Sequence, residues 1–215
     1  RKRVIRAVLA VIILDLALCG ASAAIGGYEV LALRKQLAGL NSSQLVTTAP
    51  AVRDRLRVAG ISFSLARLCW WPWQPLASTV STIAPAHIVG AVGPLLDLAA
   101  DGSAAGLYAI DGLQPALSAV RSGHHAAGDA GVRLLDGLQR GHEDLRNALA
   151  GLNRAMADWA TVDTTALPAS LRGRLLPLAH DLPLASDALH VALAAPDLLG
   201  ATRPRYYLLV PQNPW

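Results

Sequence analysis

Residues able to carry out chemistry are few in this chain, and they are scattered. His124 and His125 are adjacent. On a helix such neighbours point about 100° apart, which suits one shared metal poorly. His142 falls inside an apolar repeat, where a hydrogen-bonded structural imidazole is the expected role. His180 with Asp181, and Asp187 with His190, lie in a proline-interrupted stretch and read as a solvated face. No glycine-rich loop follows a strand to cradle a phosphate, and no nucleophile-elbow sequence supports a Ser-His-Asp set. Cys19 and Cys69 are too few for a disulfide framework and read as small apolar fillers. No catalytic residue, metal ligand or cofactor is therefore expected.

Asp15 is the exception. It is the single charge between Ala7 and Tyr28, in the run AVLAVIILDLALCGASAAIGGY. A carboxylate at the centre of a membrane helix costs roughly 2.5–3.5 kcal/mol on insertion scales. Three readings are open: a protonated or snorkelling group near the inner leaflet, a hydrogen bond to another membrane helix, or a proton relay. Gly20, Ala23 and Gly27 on the same run are small enough for close helix approach. With Asp15 they form the expected contact to a membrane partner or to a second copy.

The element that must carry Asp15 is a membrane helix. Residues 7–28 rise roughly 33 Å as a helix, enough to cross a bilayer core. Residues 1–6 form a basic tail, and its Arg3 and Arg6 belong on the cytoplasmic side. Tyr28 would anchor the opposite interface. A cleaved signal peptide would have a shorter apolar core, and Leu18 before Cys19 makes a poor lipoprotein signal. The expected location is thus the plasma membrane, single-pass, with the bulk of the chain extracytoplasmic.

Composition agrees. The chain of 215 residues is 53% hydrophobic and only 16% charged. Its net charge of +4 is matched by the four basic residues Arg1, Lys2, Arg3 and Arg6, so the remainder is near neutral. No basic face is left for DNA or RNA.

Residues 29–200 read as helices. The first continues to about Leu40, and a second runs from about Ala49 to Cys69, with Arg53, Arg55, Arg57 and Arg67 beside its apolar face. The Trp70-Trp71-Pro72-Trp73-Gln74-Pro75 segment cannot continue a regular helix. A second helix of about 20 residues would return it to the membrane surface, where Trp70, Trp71 and Trp73 suit the headgroup region. A packed corner and a sugar-stacking platform are the other readings. From Leu76 to Ala100 the chain predicts a kinked helix, ended by a turn at Asp101-Gly102 and followed by another helix over Ala104–Val120. Leu135, Leu138, His142, Leu145, Leu149, Leu152, Met156 and Trp159 then alternate at spacings of three and four. That is a heptad seam, and it predicts coiled-coil-like packing over Ala130–Ala160. Helical sequence follows over Ala169–Ala195 and ends near Pro196-Asp197 and Gly200. The expected fold is mainly α: one membrane helix, then an elongated helical bundle or stalk.

Residues 201–215 change character. Arg205-Tyr206-Tyr207-Leu208-Leu209-Val210 reads as a strand, the first of a sheet that continues elsewhere. The stretch APDLLGA, then PRYYLLVPQNP, resembles an uncharacterised family of actinobacterial membrane-anchored envelope proteins. Its members carry "PRxYLLLxQN" and a later "TGGF" block, after a basic tail, one membrane helix and an Ala/Leu-rich region. Pro211 departs from that pattern, and the glycine block is not in these 215 residues. The resemblance implies an extracytoplasmic surface protein linked to envelope polysaccharide or wall assembly, and it carries over no catalytic residues. The sequence thus points to a membrane-anchored envelope scaffold. The alternatives are an accessory subunit of a membrane complex, or a glycan-modifying enzyme with its active site beyond Trp215.

Overall fold

The computed structural model describes residues 2–38, 42–80, 87–121 and 127–201. Among them the chain is almost wholly helical and contains no strand. His124-His125 and the strand expected at 205–210 lie outside the described residues, as does most of the stretch that carries the family resemblance.

The elements are α1 (Lys2–Ala38), α2 (Ser42–Trp70), a 3-10 turn (Trp71–Trp73), α3 (Gln74–Val80), α4 (His87–Arg121), α5 (Ala127–Arg140), α6 (His142–Thr161), a second 3-10 turn (Thr164–Ala166), α7 (Ala169–Leu175) and α8 (Leu178–Leu198). Mainly α is the architecture, as the periodicity predicts.

Each long helix packs antiparallel on its predecessor, and ion pairs fix the register. Glu29 of α1 meets Arg55 of α2 at 2.8 Å. Arg53 and Arg67 of α2 meet Asp111 and Asp97 of α4, each at 2.6 Å. Arg154 of α6 reaches Asp101 of α4 at 3.3 Å. Partly exposed pairs add little net stability, but a one-turn slip would break all four. Three of the four arginines on α2 thus belong between helices.

The core is made of small residues. Ala59, Ala66, Ala148 and Ala155 are almost completely buried, and among the described residues Leu145 is the one large side chain buried to that degree. Helices can approach closely where a Cβ is missing. A Cβ on Gly137 would sit 2.5 Å from Cα of Ala116, and one on Gly141 would fall on the carbonyl of Gly112. α8 ends on Gly200 at φ 82°, with the Ala201 N–H donating to the Pro196 carbonyl at 2.8 Å. That is a Schellman-type cap, and it matches the stop expected there.

Two expectations need correction. α4 runs unbroken through Asp101-Gly102, and through Pro94 and Pro115 as well. Packing against α2 and α6 on two sides outweighs the local turn signal and the two lost backbone bonds. The seam bends at Gly141, so His142 is exposed at the start of α6 and not a core residue. Leu138, Leu145 and Leu152 are buried, and Leu135, Leu149, Met156 and Trp159 half-buried; α6 packs within the chain, on α4 and α8. Cys19, Phe63, Ala66 and Leu96 form one cluster, so α1, α2 and α4 share a core at the height of the apolar run.

Replacing Gly141 or Gly112 by alanine tests the close crossing. Helix propensity alone favours alanine by roughly 1 kcal/mol; the clash should instead destabilise the fold by about 1–3 kcal/mol. Thermal unfolding followed by circular dichroism reads the sign, and an unchanged or raised midpoint would show that the helices stand further apart.

Candidate functional site

Asp15 and the tryptophan corner, read separately from sequence, meet in the structure. The Trp73 indole Nε1 donates to the Asp15 carboxylate Oδ2 at 2.8 Å. α2 has 29 residues, not about 20. It therefore carries the corner past Tyr28 and down beside Asp15, thirteen residues lower on α1, or roughly 20 Å. The three tryptophans do not share a height with Tyr28. Trp70 and Trp73 are half-buried in the corner and Trp71 is exposed. Pro72 sits in the 3-10 turn without breaking the path of the chain. Asp15 thus finds its hydrogen bond inside the chain, and it needs no second membrane helix for that purpose.

The other small residues of α1 divide. Ala23 packs on the core cluster with α2 and α4. Gly26 is the one that receives Phe63: a Cβ there would sit 2.9 Å from the ring. Gly20 and Gly27 have open space where a Cβ would be. Cys19 is buried, its Sγ donating to the Ala66 carbonyl at 3.4 Å; Cys69 packs nearby, and both thiols are free. The side chains of Arg3 and Arg6 lie outside the described residues.

What this geometry builds is an apolar surface. Leu14, Leu18, Ile25 and Leu31 stand exposed on α1, with Leu14 at 70%. Ile61, Leu65 and Leu68 stand exposed on the neighbouring α2, and Trp71 on the 3-10 turn after it, with Leu68 at 68%. Surfaces this apolar and this continuous mark interaction sites. Leu14–Leu33 is long and apolar enough to cross a membrane. The far side of the bundle is different: His142, Glu143, Arg146, Asn147, Asn153 and Arg154 of α6 are exposed.

The titratable groups build no reaction centre among the described residues. No group of three or more His, Cys, Asp or Glu is placed to hold a metal. His180 lies 3.6 Å from Asp181 at the surface. His190 Nδ1 lies 2.9 Å from the Ser186 carbonyl, one turn back. One carboxyl is perturbed. Burial, then the neighbouring Asp101 and Asp97, push Asp158 above the usual carboxylate range, and Arg67 only partly offsets this.

Two measurements follow from these contacts. Trp73→Phe keeps an aromatic ring, though a smaller one, and removes the donor, and it should destabilise the detergent-solubilised protein by roughly 1–3 kcal/mol. In an Asp15→Leu background the same change should cost much less; equal costs would mean that the hydrogen bond carries no energy. For Asp158, the folded state holds the proton to a higher pH than the unfolded chain does. Its contribution is therefore present below the ordinary value of 3.8 and is lost as pH rises through the raised value. Asp158→Asn should flatten the fall in melting temperature as pH rises above 3.8, and an identical fall in both forms would show another group at work.

Comparison with protein-family models, with curated proteins and with solved structures found no match to this chain.

Proposed function

We propose that this chain is a non-catalytic scaffold of a bacterial cell envelope, held in the plasma membrane through α1. The observation that carries the reading is the outer face of α1. From Leu14 to Leu31 its outward side chains are apolar or small, over roughly 25 Å. Hydrocarbon accepts that face, whereas water does not. In this reading the helix passes through the bilayer once. The basic tail with Arg3 and Arg6 stays cytoplasmic, the parts of α2 and α4 that pack on the apolar run share its level, and the rest of the bundle is extracytoplasmic. The C-terminal resemblance to envelope proteins supports the same location.

A second reading has its own support. The ion pair Arg67–Asp97 lies level with Cys19, since Ala66 bonds Cys19. Charged groups on the far side of the bundle thus share the height of the apolar run. A chain alone in lipid would have hydrocarbon around its whole girth. A subunit of a larger membrane complex would not: its apolar α1–α2 face would meet lipid or partner helices, and its polar side would meet water or polar protein.

Membrane fractionation with an alkaline wash tests the first reading. Leu18→Asp with Ile25→Asp should release the chain, and Ala150→Asp with Ala157→Asp on the outer face of α6 should leave it in the pellet. Equal behaviour of the two variants would overturn the assignment of the α1 face. Purification in mild detergent separates the readings: stoichiometric co-purifying membrane proteins are expected for a subunit, and their absence favours the lone anchor.

A further inference from the structure

Between α1, α2 and α4 on one side, and α7 with the start of α8 on the other, lies an apolar cavity of about 480 Å3. Gly27 and Leu33 of α1, Phe63 of α2, Leu95 and Gly102 of α4 and Leu175 of α7 form its walls. Among all the residues that line it, only Ser103 has a polar side chain. The volume falls within the range of small-molecule sites. The space is partly open to the surface, and a lining this apolar favours an apolar guest.

Glycines keep the space open. A Cβ on Gly27 or Gly102 meets no atom within 4 Å, in contrast to Gly112, Gly137 and Gly141, whose missing Cβ is taken up by a neighbouring helix. The roof is held by a clamp. Arg172 of α7 donates to the carbonyls of Thr164, Thr165 and Leu167 at 2.8, 2.7 and 3.0 Å, which leaves Leu171 and Leu175 to line the space beneath.

The walls select the guest. They are aliphatic apart from Phe63, and no cation, carboxylate or amide lines them, so neither a sugar nor a charged headgroup is recognised inside. The α1 wall, from Gly27 to Leu33, is the end of the apolar run that the proposed function places in the bilayer. We infer that the cavity holds one acyl chain of a membrane lipid, inserted between α1 and α7. This inference rests on the bilayer reading of α1.

The test uses the full chain, purified in detergent, stripped of lipid by exchange, and titrated with the fluorescent fatty acid cis-parinaric acid. Saturable binding of one probe per chain is expected. Gly27→Leu with Gly102→Leu should weaken it by about tenfold or more, since excluding even two methylenes is worth that much. The variant should melt at or above the wild-type temperature, because leucine fills a void and favours helix. If the double variant melts lower, the single variant that retains the wild-type melting temperature carries the same comparison. Unsaturable binding, or wild-type affinity in a variant that melts normally, overturns the site. Native mass spectrometry of protein taken straight from membranes should show one retained phospholipid in wild type and none in the variant; a retained free fatty acid would overturn the lipid assignment. Both forms remain in the alkaline-washed pellet if α1 is the anchor, whichever way the cavity test falls. Loss of the wild type from that pellet would strike the anchor reading itself.

Discussion

Where α4 passes the junction of α5 and α6, Gly112 and Gly141 face each other with no room for a Cβ between them. That contact sets the terms for the rest of the bundle. A core built from alanine and glycine has little side-chain volume, so the helices must come close for dispersion contacts to form at all. Closeness in turn demands exact register, since a residue slipped by one position brings a side chain where only a hydrogen fits. The four interhelical ion pairs supply that register along α2, α4 and α6. Packing and charge thus divide the work: the small residues give contact, and the charged ones say which contact.

The sequence made the helical class and the extent of α1 legible, because an apolar run of that length with no breaker has few alternatives. It also marked Asp15 and the tryptophan corner as unusual, but not that they touch. They are 58 residues apart, and only the length of α2 joins them; an estimate nine residues too short put the corner at the wrong height. The Asp101-Gly102 pair misled because a turn dipeptide is a local signal, whereas α4 is held straight by neighbours on both sides. The seam was right in spacing and incomplete in content. A pattern of large apolar residues points to Leu145 and Leu152 but passes over Ala148 and Ala155, which are as deeply buried. The small residues of α1 mark a close approach, but only the structure shows that Gly26 is where the Phe63 ring is placed.

The bundle has two unlike sides. α1 and α2 turn leucine, isoleucine and tryptophan outward, and α6 turns outward a mixture of charge and amide. Such a body has a preferred orientation at any boundary between oil and water, independent of specific recognition.

The pairing of Asp15 with Trp73 also has a consequence in time. During synthesis Asp15 leaves the ribosome 58 residues before its partner. At 5–20 residues per second that interval is roughly 3–12 seconds. Throughout it the helix with the long apolar run carries a carboxyl group without its donor, and anything that greets the nascent helix has to tolerate that group, protonate it, or shield it until the hairpin closes.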